Sequence, residues 1–260
     1  MRHRFLLFVI LPLLAACTVA TPRVAPTPTP MVFQPTLGRA LSFLTRQLDA
    51  DVGLLRAAPD DERHWLAPDN LLVEWVMQDA HAADLTIELE TELATFGAPH
   101  HGLIEILRGE SVAWPPAIAV QQEVSPTVWL ESHTGSGVID AWERRADLTF
   151  LAALNAWSQG DATQAQAHFT AAMAMFDGVG FRDGANPDRY TTSDLALALI
   201  AGARLGEPVN DAIVRRLLSL QGADGGFAAH YSADGAGDGA DTRTTAYALL
   251  ALYTLRQPLL

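Results

Sequence analysis

The chain contains no lysine and a single cysteine, Cys17. Without lysine there is no Schiff-base nucleophile and no Walker-type phosphate clamp. One cysteine excludes an intramolecular disulfide and any cysteine-built metal cluster. Positive charge is also scarce: 17 arginines face 30 acidic residues, for a formal net charge of −13. A balance of that sign carries no electrostatic footprint for nucleic acid, so no nucleic-acid partner is expected. The histidines His100, His101, His133 and His230 lack tight metal-ligand spacing. No metal and no cofactor are therefore expected, short of a site assembled from distant segments. No apolar run is long enough to span a bilayer as a mature helix; the longest candidate, Phe5 to Leu14, covers about half the required length.

That apolar run belongs to a targeting segment, residues 1–17. Arg2 and Arg4 supply the positive start, and Leu14-Ala15-Ala16-Cys17 closes it with small residues before the cysteine. Leu-Ala-Ala-Cys resembles the bacterial lipoprotein signal. The resemblance implies cleavage before Cys17 and acylation of Cys17, hence a lipid-anchored, extracytoplasmic protein with the bilayer as partner. Two or more acyl chains give stable attachment where one does not. Residues 18–35 follow as a Pro/Thr-rich tether containing Pro22, Pro26, Pro28, Pro30 and Pro35. Such a segment favours extended polyproline II and holds the next domain off the membrane.

Roughly 225 residues remain, enough for one sizeable core. Four apolar stretches each begin near an aspartate: Asp69, Asp147, Asp194 and Asp241. The last three are separated by the same step of about 47 residues. Between them lie amphipathic stripes: Leu37, Leu41, Leu44, Leu48; then Leu85, Leu89, Leu93, Phe96; then Ala165, Phe169, Ala172, Phe176; then Val209, Ile213, Leu217, Leu220. Spacings of three and four place each set on one helix face. The stretch Leu195 to Ala203 is apolar nearly all round, which belongs inside a larger assembly. The pattern predicts outer amphipathic helix, loop, inner apolar helix, four times over, with each aspartate as an N-terminal cap.

Gln221…Asp224-Gly225-Gly226-Phe227 followed by Asp241-Thr242 resembles the repeats of α/α-toroid proteins, among them terpenoid cyclases, protein prenyltransferases and thioester-domain proteins. Trp65-Leu66-Ala67-Pro68-Asp69-Asn70 is similar to the six-hairpin glycosidase superfamily. The resemblance implies an all-α fold over residues 36–260, an α/α-toroid-like array of about four helical hairpins. It also points to a carbohydrate-active or carbohydrate-binding protein with a glycan or cell-envelope partner, if an enzyme then a glycoside hydrolase or lyase. The other members fit less well. The chain has no DDxxD or DxDD run, and its one cysteine is the anchor. Asn155-Ala156-Trp157-Ser158-Gln159-Gly160-Asp161 resembles a single tetratricopeptide unit, which keeps open a non-catalytic helical scaffold that binds a protein.

Residues 97–140 interrupt the spacing. The alternation of Gly102 to Glu110 and the run Val128 to His133 predict a β-hairpin over one mouth of the helical array. It carries Glu105, Glu110, Trp114, Trp129, Glu131 and His133, with His100 and His101 at its start. As acid/base carboxylates the sequence offers Asp69, Glu74, Asp147 and Asp194, because glycoside cleavage needs two carboxyl groups across the scissile bond. As ligand contacts it offers Trp65, Trp114, Trp142, Tyr190, Tyr231 and Asp241.

Overall fold

The computed structural model describes residues 33–256 apart from 98–99, 126, 183–188 and 236. The targeting segment, Cys17 and most of the tether lie outside the described residues.

Four helices form an inner layer: α2 (Ala67–Asp79), α5 (Ala146–Ser158), α7 (Thr192–Leu205) and α9 (Thr242–Arg256). Helix α9 packs between α2 and α7, and α7 packs on α5. The short α4 (Ile104–Leu107) touches both α5 and α2 on the remaining side. Outside them lie α1 (Gln34–Gln47) on α9, α3 (Ala83–Thr95) on α2, α6 (Ala162–Met173) on α5, and α8 (Asp211–Ser219) on α7. The layers follow from composition. In α7 every residue from Leu195 to Gly202 is buried, so no face is left for water. In α8 only Ile213, Val214 and Leu217 are buried, one stripe of an amphipathic helix. Among the described residues no helix is long and apolar enough to cross a membrane.

The fold is mixed α/β, not the all-α fold that the toroid resemblance implies. About half of the structure is helical, and 14% is strand in four small sheets. Strands β1 (Leu48–Asp49) and β2 (Leu54–Leu55) pair antiparallel. So do β6 (Tyr190–Thr191) with β8 (His230–Tyr231), and β7 (Phe227–Ala228) with β9 (Ala240–Asp241). The third sheet has the order β3-β5-β4, from β3 (Trp65–Leu66), β5 (Val128–Ser132) and β4 (Val120–Glu123). The physical reason is burial of the connections. Leu54, Leu55, Trp65, Tyr190, Phe227 and Tyr231 all lie in the core. Their backbone amides and carbonyls cannot reach water and must pair with one another. Two-residue strands leave no periodic signal.

The 97–140 segment also differs from its expected form. Residues Ile104–Leu107 are a helical turn, not a strand, with Ile104, Ile106 and Leu107 buried. The Glu105 carboxylate accepts the amides of His101 (2.6 Å) and Gly102 (2.8 Å), which ties down the start of that turn. The β-hairpin is built instead from β4 and β5, in antiparallel register Val120↔Ser132 to Glu123↔Trp129. Strand β5 also pairs parallel with β3, the two residues that lead directly into α2. The hairpin is thereby fixed beside the N-terminus of an inner helix.

Long-range polar contacts tie the last inner helix and the loop before it to the N-terminal part of the described chain. The Thr242 amide donates to the Ala57 carbonyl (2.9 Å), and its hydroxyl donates to the Arg56 carbonyl (2.5 Å). Gln221 donates to the Thr36 carbonyl (2.9 Å), which ties the loop after α8 to α1. In that loop Gly225 has φ +94° and sits where a Cβ would fall 2.3 Å from the Arg39 carbonyl oxygen. Only glycine meets both conditions.

Candidate functional site

Four charged residues stand in the first turns of the inner helices. Asp69 is the third residue of α2, Asp147 the second of α5, Asp194 the third of α7, and Arg243 the second of α9. Tyr247, one turn beyond Arg243, lies on the same face of α9. Burial pushes the Tyr247 hydroxyl up to about 12, with Arg243 opposing and Asp147, Asp69 and Asp194 adding to the rise. The three aspartates and the arginine thus all lie within electrostatic reach of the Tyr247 phenol.

Arg243 is the hub. Its Nε donates to Asp69 at 2.5 Å, and a second guanidinium nitrogen lies 3.5 Å from Glu131 on β5. Burial pushes the Asp69 carboxyl up, and Arg243 works against that shift. In turn Asp69 holds the guanidinium firmly charged. Asp147 is bound by its neighbour Arg145, at 2.7 and 3.3 Å.

The cap predicted for the aspartates is observed at Asp241. Asp241 accepts the Thr244 amide at 2.6 Å and caps α9. Asp69, Asp147 and Asp194 sit inside the first turn, and the residues in the capping position, Leu66, Arg145 and Thr191, make no side-chain cap. The equal spacing of Asp194 and Asp241 does not mark equivalent sites, because one lies within its helix and the other precedes it. The better match is Asn70 with Thr245. Asn70 accepts the Leu55 amide (2.7 Å), and Thr245 accepts the Phe227 amide (3.0 Å), so each fastens the preceding short strand to its inner helix.

Above the mouth, β5 and the turn before α4 bring together His101, Glu131 and His133. One ligand atom of each lies within 4.8 Å of the others. His101 Nε2 faces Glu131 at 3.3 Å, and the two imidazoles meet edge to face at 5.1 Å. His133 Nδ1 donates to the Ala117 carbonyl at 2.9 Å. Glu131 also accepts from Gln121 at 2.9 Å. The bond to His101, against the cost of burial and helped by Gln121 and Arg243, holds the Glu131 carboxyl down at about 2. Burial lowers His133, which favours its neutral ring. Two imidazoles and a carboxylate form the donor set in this region that could hold a metal ion.

The remaining predicted residues scatter. Glu74 is buried but accepts from Gln78, and its charged neighbours are Arg108 and Glu90 rather than the mouth aspartates. Trp65 is buried in β3 beside the mouth. Trp114 and Trp142 meet edge to face at 5.2 Å and continue to His168 on α6, a separate aromatic cluster. Tyr190 and Tyr231 stack at 5.3 Å as core plugs. Their hydroxyls are taken by Asp177 (2.8 Å) and the Val179 carbonyl (3.1 Å). Two open clefts, of about 710 and 340 Å³, lie in the acidic loop Asp60–Arg63 and the glycine-rich loop after α8, and neither is lined by the mouth residues.

Arg243, Tyr247 and the pairing of His101 with Glu131 are absent from the sequence-based candidates. Arg243 leaves one signal, being the only charged residue in the first three turns of α9. Comparison of the chain with protein-family models, curated proteins and solved structures gives no match.

Proposed function

We propose that this chain is an extracytoplasmic lipoprotein, held to the bilayer by acylated Cys17, whose folded domain binds a glycan at the mouth of the inner helices. The observation that carries the reading is Arg243 linking Asp69 to Glu131, with Asp147 and Asp194 in the first turns of two other inner helices. Sugar hydroxyls can donate to carboxylates and accept from a guanidinium, and Asp147, Glu131 and Arg243 are the part-exposed groups here that offer both. Trp129, on the same hairpin as Glu131, lies 6.5 Å from the His64 ring and supplies an aromatic edge. Glycoside cleavage is the catalytic form of the same reading.

The test is a glycan array and an oligosaccharide hydrolysis screen on the intact chain in detergent, compared with Arg243→Gln and Trp129→Ala. Binding lost in both variants supports the reading. Binding without turnover assigns a receptor rather than an enzyme. Capture of no glycan by wild type sinks it. The anchor has its own test: Cys17→Ser should leave the signal uncleaved or release the protein from the membrane fraction.

A further inference from the structure

We propose that His101, Glu131 and His133 form a binding site for one divalent transition-metal ion, with zinc the best chemical match. Two imidazole nitrogens and one carboxylate make the donor set of open zinc sites, which leave a fourth position for water or a ligand oxygen. The groups come from two segments joined by a short backbone bond, the His133 amide to the His101 carbonyl at 2.6 Å.

The surroundings favour metal binding in three ways. First, the His133 Nδ1–H is spent on the Ala117 carbonyl. That bond fixes the tautomer and leaves Nε2 with a lone pair, the arrangement found around metal-bound histidines. Among the described residues Nε2 has no hydrogen-bond partner. Second, Glu131 is oriented by Gln121 at 2.9 Å, which leaves its other oxygen facing His101. Third, the turn is rigid. Glu105 holds the amides of His101 and Gly102, and at Gly102, with φ +91°, an added Cβ would fall 3.3 Å from the His133 backbone.

Two contacts must yield. His101 Nε2 now shares its proton with Glu131 at 3.3 Å, and His101 Nδ1 accepts the Ile104 amide across a long 3.3 Å. On binding, the ring changes tautomer: Nε2 gives up its proton, Nδ1 takes one from solvent and releases the Ile104 amide, and the metal binds the Nε2 lone pair of the still neutral imidazole. Tetrahedral bonds of about 2.0–2.2 Å bring the ligand atoms to about 3.4 Å from one another, so the side chains close in from their present spacing. Arg243, 3.5 Å from Glu131, opposes a cation but is already paired with Asp69.

The inference does not rest on the glycan reading, because ion binding is measured without a glycan. The intact chain in detergent is stripped with EDTA, exchanged into buffer, and titrated with zinc by calorimetry. Cobalt(II) serves as a spectroscopic stand-in. Wild type should take up one equivalent, and the cobalt form should show the intense visible band of a low-coordinate site. Glu131→Gln and His133→Ala should each weaken zinc at least tenfold and abolish that band. His168→Ala, on the separate aromatic cluster, should behave as wild type. Should His133→Ala fold poorly by circular dichroism, His133→Asn replaces it, since an amide can keep the Ala117 contact without a ring nitrogen. Less than one equivalent in wild type, or equal affinity in wild type and the position-133 variant, overturns the assignment.

Discussion

Removing the charge of Arg243 tests the description of the mouth most directly. Its partner Asp69 has a side chain only 4% exposed, whereas the Arg243 side chain is 40% exposed. Breaking a fully buried ion pair from one side costs about 3–5 kcal/mol, and an exposed pair is worth about 1 or less. A pair buried at one end falls between, so Arg243→Gln should cost about 2–3 kcal/mol. For a domain of this size that is a fall in Tm of about 4–12 °C. The loss should also depend on pH. Burial already raises the Asp69 carboxyl, and the variant removes the guanidinium that opposes the rise. A carboxyl whose folded pKa lies above its unfolded value destabilises the fold at high pH, and the penalty disappears as pH falls through the folded pKa. The gap between variant and wild type should therefore narrow from pH 7 towards pH 4. Urea unfolding followed by circular dichroism measures it. A double-mutant cycle with Asp69→Asn completes the case, because the two changes together should cost less than their sum. A gap that is constant with pH, or strict additivity, refutes the pairing.

Two further outcomes follow from groups outside the mouth. Asn70 is fully buried and serves the Leu55 amide, the Leu55 carbonyl and the Leu66 carbonyl. Asn70→Ala strands these groups away from water and should cost about 2–4 kcal/mol in urea unfolding, without a change in slope. Burial works against ionisation of Asp177, but the Val179 and Gly180 amides, the Tyr190 hydroxyl and Arg182 hold it at about 2. Its folded pKa lies below the ordinary carboxyl value of 3.8, so its stabilisation is complete above about pH 4 and is lost as pH falls towards 2. Asp177→Asn should remove about 1 kcal/mol at neutral pH and flatten that acid limb, read from stability curves between pH 2 and 7.

The helices are legible because a 3.6-residue period is a local property. Ile213 and Leu217 announce the buried stripe of α8, and Leu195 to Gly202 announce a helix without a wet side. The class of the fold is not legible, because the short strands exist only where buried connections meet. Ile104–Leu107 shows how the same ambiguity works in reverse. Its alternation reads as a strand, but the Glu105 carboxylate and the burial of Ile104 with Ile106 and Leu107 favour a turn of helix. Aspartates spaced equally along the chain turn out to hold different positions in their helices.

By itself the sequence determined where apolar faces must be hidden and which side chains can carry charge, since both depend on neighbours a few residues away. It also set the chemistry that is excluded, through the missing lysines and the solitary cysteine. Only the tertiary structure decided which charges meet. Arg243 reaches Asp69 from 174 residues away, and His101 meets Glu131 across 30. Ion pairs and ligand sets depend on a few ångströms in space. Those distances come from the packing of α9 against α2 and of β5 beside β3, which no local pattern encodes.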